Sequence, residues 1–206
     1  KGAPRPSNHG SAIVSLLAGA GVRSVRLADV YGADAAGGNV LAITQALGWL
    51  AQGGARVVTI SLVGPSNPVL ARAIAAAQRR GVVVVAAVGN DGPAAPPAYP
   101  ASYPGVVAVT GVDRRDRQLI EAGRALHLDY AAPGADLFAG TANGGRAKVR
   151  GTSFAAPLVA ARVAAALDAS AAWQSRVDGE ARDLGPRGPD KLYGRGLVCG
   201  TCRTTR

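Results

Sequence analysis

With 206 residues, 48% of them hydrophobic and 17% charged, the chain has the material for one sizeable core. That balance excludes a disordered chain, and the longest apolar run, residues 82–88, is far short of the roughly 20 residues that span a bilayer. The net charge of +10 comes with scattered bases, one short cluster (Arg114, Arg115, Arg117) and only 4% aromatics, which argues against a nucleic-acid partner and for an acidic partner or surface.

The chain opens on Lys-Gly-Ala-Pro-Arg-Pro-Ser-Asn, which reads as a loop exposed by processing, truncation or a chain break; no signal peptide is visible. Residues 9–17 read as a short helix with Ile13, Leu16 and Leu17 on one face. Residues 22–30 read as a strand. Gly37-Gly38-Asn39 opens a helix with Val40, Ile43, Leu47 and Leu50 at spacings of three and four, and Gly53-Gly54 stops it. Residues 56–62 are rich in β-branched side chains and predict a buried strand. Residues 67–80 predict a helix, capped by Asn67-Pro68 and ended by Gly81. Residues 82–88 and 106–112 are continuous apolar runs, as expected of strands covered on both faces. Residues 113–149 break into short, turn-rich pieces. Residues 152–167 predict an Ala-rich buried helix, and residues 168–206 a polar, peripheral segment.

Strands that alternate with helices cannot pair as hairpins. They imply a three-layer α/β/α sandwich around a mostly parallel central sheet, an α/β fold in a single domain over residues 1–206. Cys199 and Cys202 stand as Cys-Gly-Thr-Cys in the polar tail. A zinc site needs about four ligands, and only the remote His9 and His127 could add to these two, so no metal is expected there. A small-loop disulfide in an oxidising compartment and two free thiols remain as the alternatives.

Three short motifs begin or end elements: His9-Gly10-Ser11, Gly89-Asn90-Asp91-Gly92 and Gly151-Thr152-Ser153-Phe154-Ala155-Ala156-Pro157. Singly, each has a plain reading as a cap or a turn. Together their order fits one mechanism, because ligand sites of open α/β sheets lie at the carboxyl ends of the strands.

With these residues in place, the sequence resembles the subtilisin-like serine proteases, or subtilases. Thr59-Ile60-Ser61-Leu62 resembles their substrate-binding strand, and residues 83–92 their oxyanion-asparagine block. Tyr99-Pro100-Ala101-Ser102-Tyr103-Pro104, Ala131-Ala132-Pro133-Gly134 and Tyr193-Gly194-Arg195-Gly196-Leu197-Val198 add further matches over residues 7–198. The resemblance implies a subtilisin-like fold and serine endopeptidase activity on protein or peptide substrates. It implies Ser153 as nucleophile, His9 as general base, and Asn90 as oxyanion donor beside the Ser153 N–H. It also implies that Ser61, Leu62, Val63, Ala87, Gly89 and Ala98 line the substrate site. The related sedolisins carry Glu where this chain has His9 and Asp where it has Asn90, so both positions side with subtilases.

The chain departs from the family in one serious respect. The catalytic Asp of subtilases precedes the His, yet no acid stands ahead of His9 and the first is Asp29, without an Asp-x-Gly context. The expectation is a chain that lacks the N-terminal strand bearing this Asp, with the carboxylate supplied by an upstream segment. A second departure is Val63-Gly64 where relatives carry Gly-Gly, with Ala98 near the pocket floor, which points to small or medium apolar side chains before the scissile bond. Relatives often bind structural calcium, but no carboxylate cluster locates it, and no cofactor is assigned. The expected location is secreted, periplasmic or cell-envelope. The alternative function is a catalytically incomplete binding or regulatory module. A nucleotide-binding domain using Gly19-Ala20-Gly21 is disfavoured, because that Gly-x-Gly follows a helix rather than a strand.

Overall fold

The structure, a computed structural model, describes residues 5–31 and 39–203. Its strands follow the apolar runs. Val57–Ile60 (β1), Val83–Ala87 (β2), Val107–Val112 (β3) and Tyr130–Pro133 (β4) pair in parallel, in the order β1-β2-β3-β4. Alternate side chains serve two cores, as the pleat requires. Val58, Ile60, Val84, Ala86, Val106 and Ala108 face one, with Leu47 of helix α2 (Val40–Gln52) and Leu70 and Ile74 of α3 (Pro68–Arg79). Val85, Ala87, Val107 and Val109 face the other, with Ile13 and Leu16 of α1 (Asn8–Gly19) and most of α4 (Thr152–Ala169).

This is the expected α/β/α sandwich. Helix α4 packs against all four strands. By length and composition α4 could also cross a membrane, but it is largely buried as the central helix of this layer. Asn39 and Asn67 cap α2 and α3 through their side-chain oxygens, as the sequence predicts for Asn67. Gly37 and Gly38 lie outside the described residues.

Residues 113–149 resolve into loops, β4, and an antiparallel hairpin of Leu137–Gly140 (β5) and Arg146–Val149 (β6) packed on α1. Beyond α4, a short helix Trp173–Glu180 (α5) was not legible in the sequence. The tail from residue 168 is less peripheral than its polarity suggests. Val177 and Val198 are fully buried, the Val198 N–H donates to the Ala131 carbonyl at 2.8 Å, and the Tyr130 hydroxyl donates to Asp178 at 2.6 Å. Cys199 and Cys202 form a disulfide.

One expected strand is not formed. Residues 22–30 run as irregular chain, although Val22 and Val25 pack on the core. A strand exists only through its ladder, and among the described residues none pairs with this segment. A groove of about 1300 Å³ separates this segment from β1, with Ala160, Ala161 and Ala164 of α4 along it. Among the described residues, β1 is thus an edge strand. Because the Val83 N–H donates to the Arg56 carbonyl, Arg56, Val58 and Ile60 address β2, and the amides of Val57 and Thr59 face the groove. The Thr59 hydroxyl is buried without a hydrogen-bond partner.

Candidate active site

The carboxyl ends of β1 and β2 lie side by side, and the N-terminus of α4 meets them there. Ser153 is the second residue of α4, where unpaired N–H groups and the positive end of the helix dipole gather. The turn into the helix needs glycine twice over. Gly151 has φ of 138°, and a Cβ there would sit 3.1 Å from Asn90 Nδ2.

Thr152 is completely buried and ties the helix start to Gly89 and Asn90. Its N–H donates to Asn90 Oδ1 at 2.9 Å, and its hydroxyl donates to the Gly89 carbonyl at 3.1 Å. An N–H can only donate, so the oxygen of the Asn90 amide is the atom held, and Nδ2 remains as its donor. Asn90 thus caps α4 from a neighbouring loop through that oxygen. The sequence reading assigned no such role to Thr152.

The Ser153 carbonyl is equally well defined. In a regular helix it would accept from the N–H four residues on, but that residue is Pro157. The Ser61 hydroxyl, just past β1, fills the position by donating to the Ser153 carbonyl at 2.8 Å. The Ser153 hydroxyl lies 3.5 Å from the Ser61 carbonyl, a long and weak contact. Proline in the helical block was the signal for Ser61's role.

His9 stands in the first turn of α1. Ser7 caps this helix by accepting from the Gly10 N–H at 3.0 Å, and Asn8 ties it to the hairpin by accepting from the Ala142 N–H at 3.0 Å. The His9 ring packs on Phe154, the residue after Ser153, with centroids 5.5 Å apart. It is exposed on its outer side, yet desolvation against its neighbours lowers its pKa below the ordinary histidine value. His9 and Ser153 share this corner without a hydrogen bond between them, and among the described residues no carboxylate pairs with His9. Asp29 accepts from the backbone N–H groups of Arg5 and Tyr31 at 3.1 and 3.0 Å. His127 lies apart, its Nε2 2.8 Å from the Val106 carbonyl, in a bend rather than the strand its sequence suggests.

Of the expected substrate-binding residues, Ser61, Leu62 and Val63 run out from β1, and Val63 is exposed. Gly89 has φ of 86°, and a Cβ there would meet a Val63 methyl at 3.2 Å, so Val63 covers this glycine closely. Ala98 is half-buried, and its N–H donates to the Arg124 carbonyl at 2.7 Å. Ala87 departs from expectation: it is buried in the core against α4 and offers no surface to a ligand. Gly123 was missed. Its N–H donates to the Gly89 carbonyl at 2.8 Å, and a Cβ there would lie 2.4 Å from the Val88 oxygen. Among the described residues, no three His, Cys, Asp or Glu side chains gather as a metal site, so no calcium position is located.

This arrangement has known counterparts. A sequence profile of the Subtilase family matches residues 3–195. The chain belongs to this family. Subtilisin BL of Lederbergia lenta is 34% identical over 175 residues, covering 82% of this chain and 63% of that protein. Thermitase of Thermoactinomyces vulgaris is 34% identical over 155 residues, covering 75% of this chain and 54% of that protein. The chain therefore spans less than two thirds of the length of these subtilases. In three dimensions it is similar to a lanthipeptide protease, with TM-score 0.85 and 20% identity over 97% of this chain and 75% of that one. It is also similar to the prenylagaramide maturation protease PagA, with TM-score 0.77 and 23% identity over 95% of this chain and 80% of that one. Both likenesses establish the subtilase fold.

Proposed function

We propose that this chain is the larger part of a serine endopeptidase that cleaves protein or peptide substrates. The observation that carries this reading is the Asn90 amide, held through its oxygen by the Thr152 N–H, which leaves Nδ2 as its donor at the N-terminus of the helix that bears Ser153. The Ser153 hydroxyl adds to the scissile carbonyl carbon while His9 takes its proton. The oxyanion accepts from Asn90 Nδ2 and the Ser153 N–H. His9 returns the proton to the leaving amine, and water then releases the acyl group by the reverse exchange.

The orienting carboxylate for His9 is supplied by a segment upstream of this chain. Two features support that reading. The ring of His9 has no carboxylate partner among the described residues, and the groove beside β1 is bordered by outward-facing strand amides, as an added parallel strand requires. The close cover of Gly89 by Val63, with Ala98 nearby, favours small or medium apolar side chains before the cleaved bond. The disulfide suits a secreted or cell-envelope setting. Two proteins of the same fold are a lanthipeptide protease and a prenylagaramide maturation protease, which fits a peptide substrate.

The test is labelling with a serine-directed fluorophosphonate together with a peptidase assay. Full-length protein should label at Ser153, and Ser153→Ala should abolish both signals. Residues 1–206 alone should hydrolyse peptides poorly and recover when the upstream segment is added, unless its Asp is replaced by Asn. Labelling that survives Ser153→Ala would refute the assignment.

A further inference from the structure

The hairpin that delivers the nucleophile is basic. Strand β6 leads through Arg150 into Gly151-Thr152-Ser153. Leu137 and Ala139 of β5 point into the core, and their partners Val149 and Ala147 share that face. Arg146, Lys148 and Arg150 therefore occupy the opposite, outward face at every second position.

Arg146 bonds the Phe138 carbonyl at 2.9 Å, while Lys148 and Arg150 meet acids in an ordered way. Lys148 bonds Asp136 at 2.7 Å, with side-chain exposures of 61% and 30%. Arg150 bonds Glu121 at 2.7 Å, with exposures of 50% and 28%. Arg117 bonds Asp113 at 2.8 Å, with exposures of 66% and 16%. In each pair the carboxylate lies beneath and the cation on top, so solvent meets positive charge. Arg114, whose N–H reaches Asp136 at 3.4 Å, joins the post-β3 loop to the hairpin. Among the described residues, Arg114 and Arg115 form no ion pair of their own. The patch also borders the oxyanion loop, because the Glu121 carbonyl accepts from the Gly92 N–H at 2.9 Å. The one arginine cluster of the sequence thus adjoins the hairpin that leads into Ser153.

We propose that this basic face selects peptide substrates with Asp or Glu flanking the scissile bond. The inference rests on the peptidase reading and names its substrate class. An extended peptide rises about 3.3 Å per residue, the same as β6, so acids within about five residues of the cleaved bond can reach Lys148 and Arg150. Exposed ion pairs are individually weak. Several acting together on one segment discriminate by about tenfold and depend on salt.

The experiment measures binding in the full-length protein carrying Ser153→Ala, so that no turnover is needed. Two fluorescent peptides share one apolar core and differ only in flanks, Asp/Glu in one and Ser in the other. At about 0.01 M salt, where screening extends about 30 Å, the acidic peptide should bind about tenfold tighter. At about 1 M salt, with screening at about 3 Å, the difference should vanish. Lys148→Gln with Arg150→Gln should bring the ratio close to one, and Arg114→Gln with Arg115→Gln, off the hairpin, should reduce it. Equal affinities at low salt, or a preference that survives in both double variants, overturn the proposal. Wild-type protein that labels and cleaves both peptides alike refutes the acidic selection alone. Acid-selective binding without labelling of Ser153 refutes the peptidase reading and leaves the acidic selection standing.

Discussion

Asn90 and Thr152 behave as one unit. Replacing Asn90 by Ala removes the donor, and the expected loss is about 10²–10³ in kcat with little change in KM, the magnitude known for the oxyanion asparagine of subtilisin. Thr152→Val keeps the N–H that holds Asn90 but loses the hydroxyl bond to Gly89. It should lower kcat less, and Thr152→Ser should restore it. A Thr152→Val enzyme with unchanged kcat would confine that hydroxyl to packing. His9 offers a second measurement. Its protonated form is penalised by desolvation in the folded chain, so its pKa lies below the unfolded value of about 6.5. The stability it contributes is complete above that unfolded value and is lost as pH falls through the lower folded one. The His9 ring-proton NMR shift in residues 1–206 should titrate below pH 6.5, and docking of a carboxylate-bearing segment should raise the midpoint. A midpoint above 6.5 without the segment would mean that an acid already reaches the ring.

Helix α4 gives the test at the scale of elements. If Ser61 serves the carbonyl that Pro157 leaves open, Ser61→Ala should cost about 0.5–1.5 kcal/mol of stability and lower kcat. Pro157→Ala restores a helical N–H for the same carbonyl, so Ser61→Ala should cost less in that background. Equal costs in both backgrounds, from denaturation midpoints, would break the link. Elements were legible where local rules and burial agreed: the continuous apolar strands, the Asn67 cap, the Ala-rich helix. Residues 22–30 read as strand because their composition suits one, but a ladder depends on a neighbour that composition cannot reveal. Helix α5 was hidden by its polarity, since only Val177 is fully buried and Trp173 partly so. In the site, the motifs named His9, Asn90 and Ser153, while the bonds of Thr152, Ser61 and Gly123 connect residues tens of positions apart and became visible only in the fold.

For the molecule as a whole, the open groove is the feature with the widest reach. An unpaired β1 edge beside a partly apolar slot costs stability that an added strand recovers. Residues 1–206 should therefore melt at a lower temperature than the same chain with its upstream segment, and the gap should widen with segment concentration. Hydrogen exchange supplies the local measure: the amides of Val57 and Thr59 should exchange rapidly in the chain alone and slow when the segment docks. Unchanged exchange at both, with restored activity, would place the segment elsewhere.

Helix α4 spans the distance between that groove and Ser153. Its first turn holds Ser153, and about two to three turns on its alanines form part of the groove wall. A helix buried along most of its length moves as a rod, so a strand that seats against Ala160, Ala161 and Ala164 also settles the height and tilt of the end that carries the hydroxyl. Side chains no larger than a methyl leave the rod free to be set by its guest. The molecule is in that sense a lock whose bolt and keyway are cut from one bar.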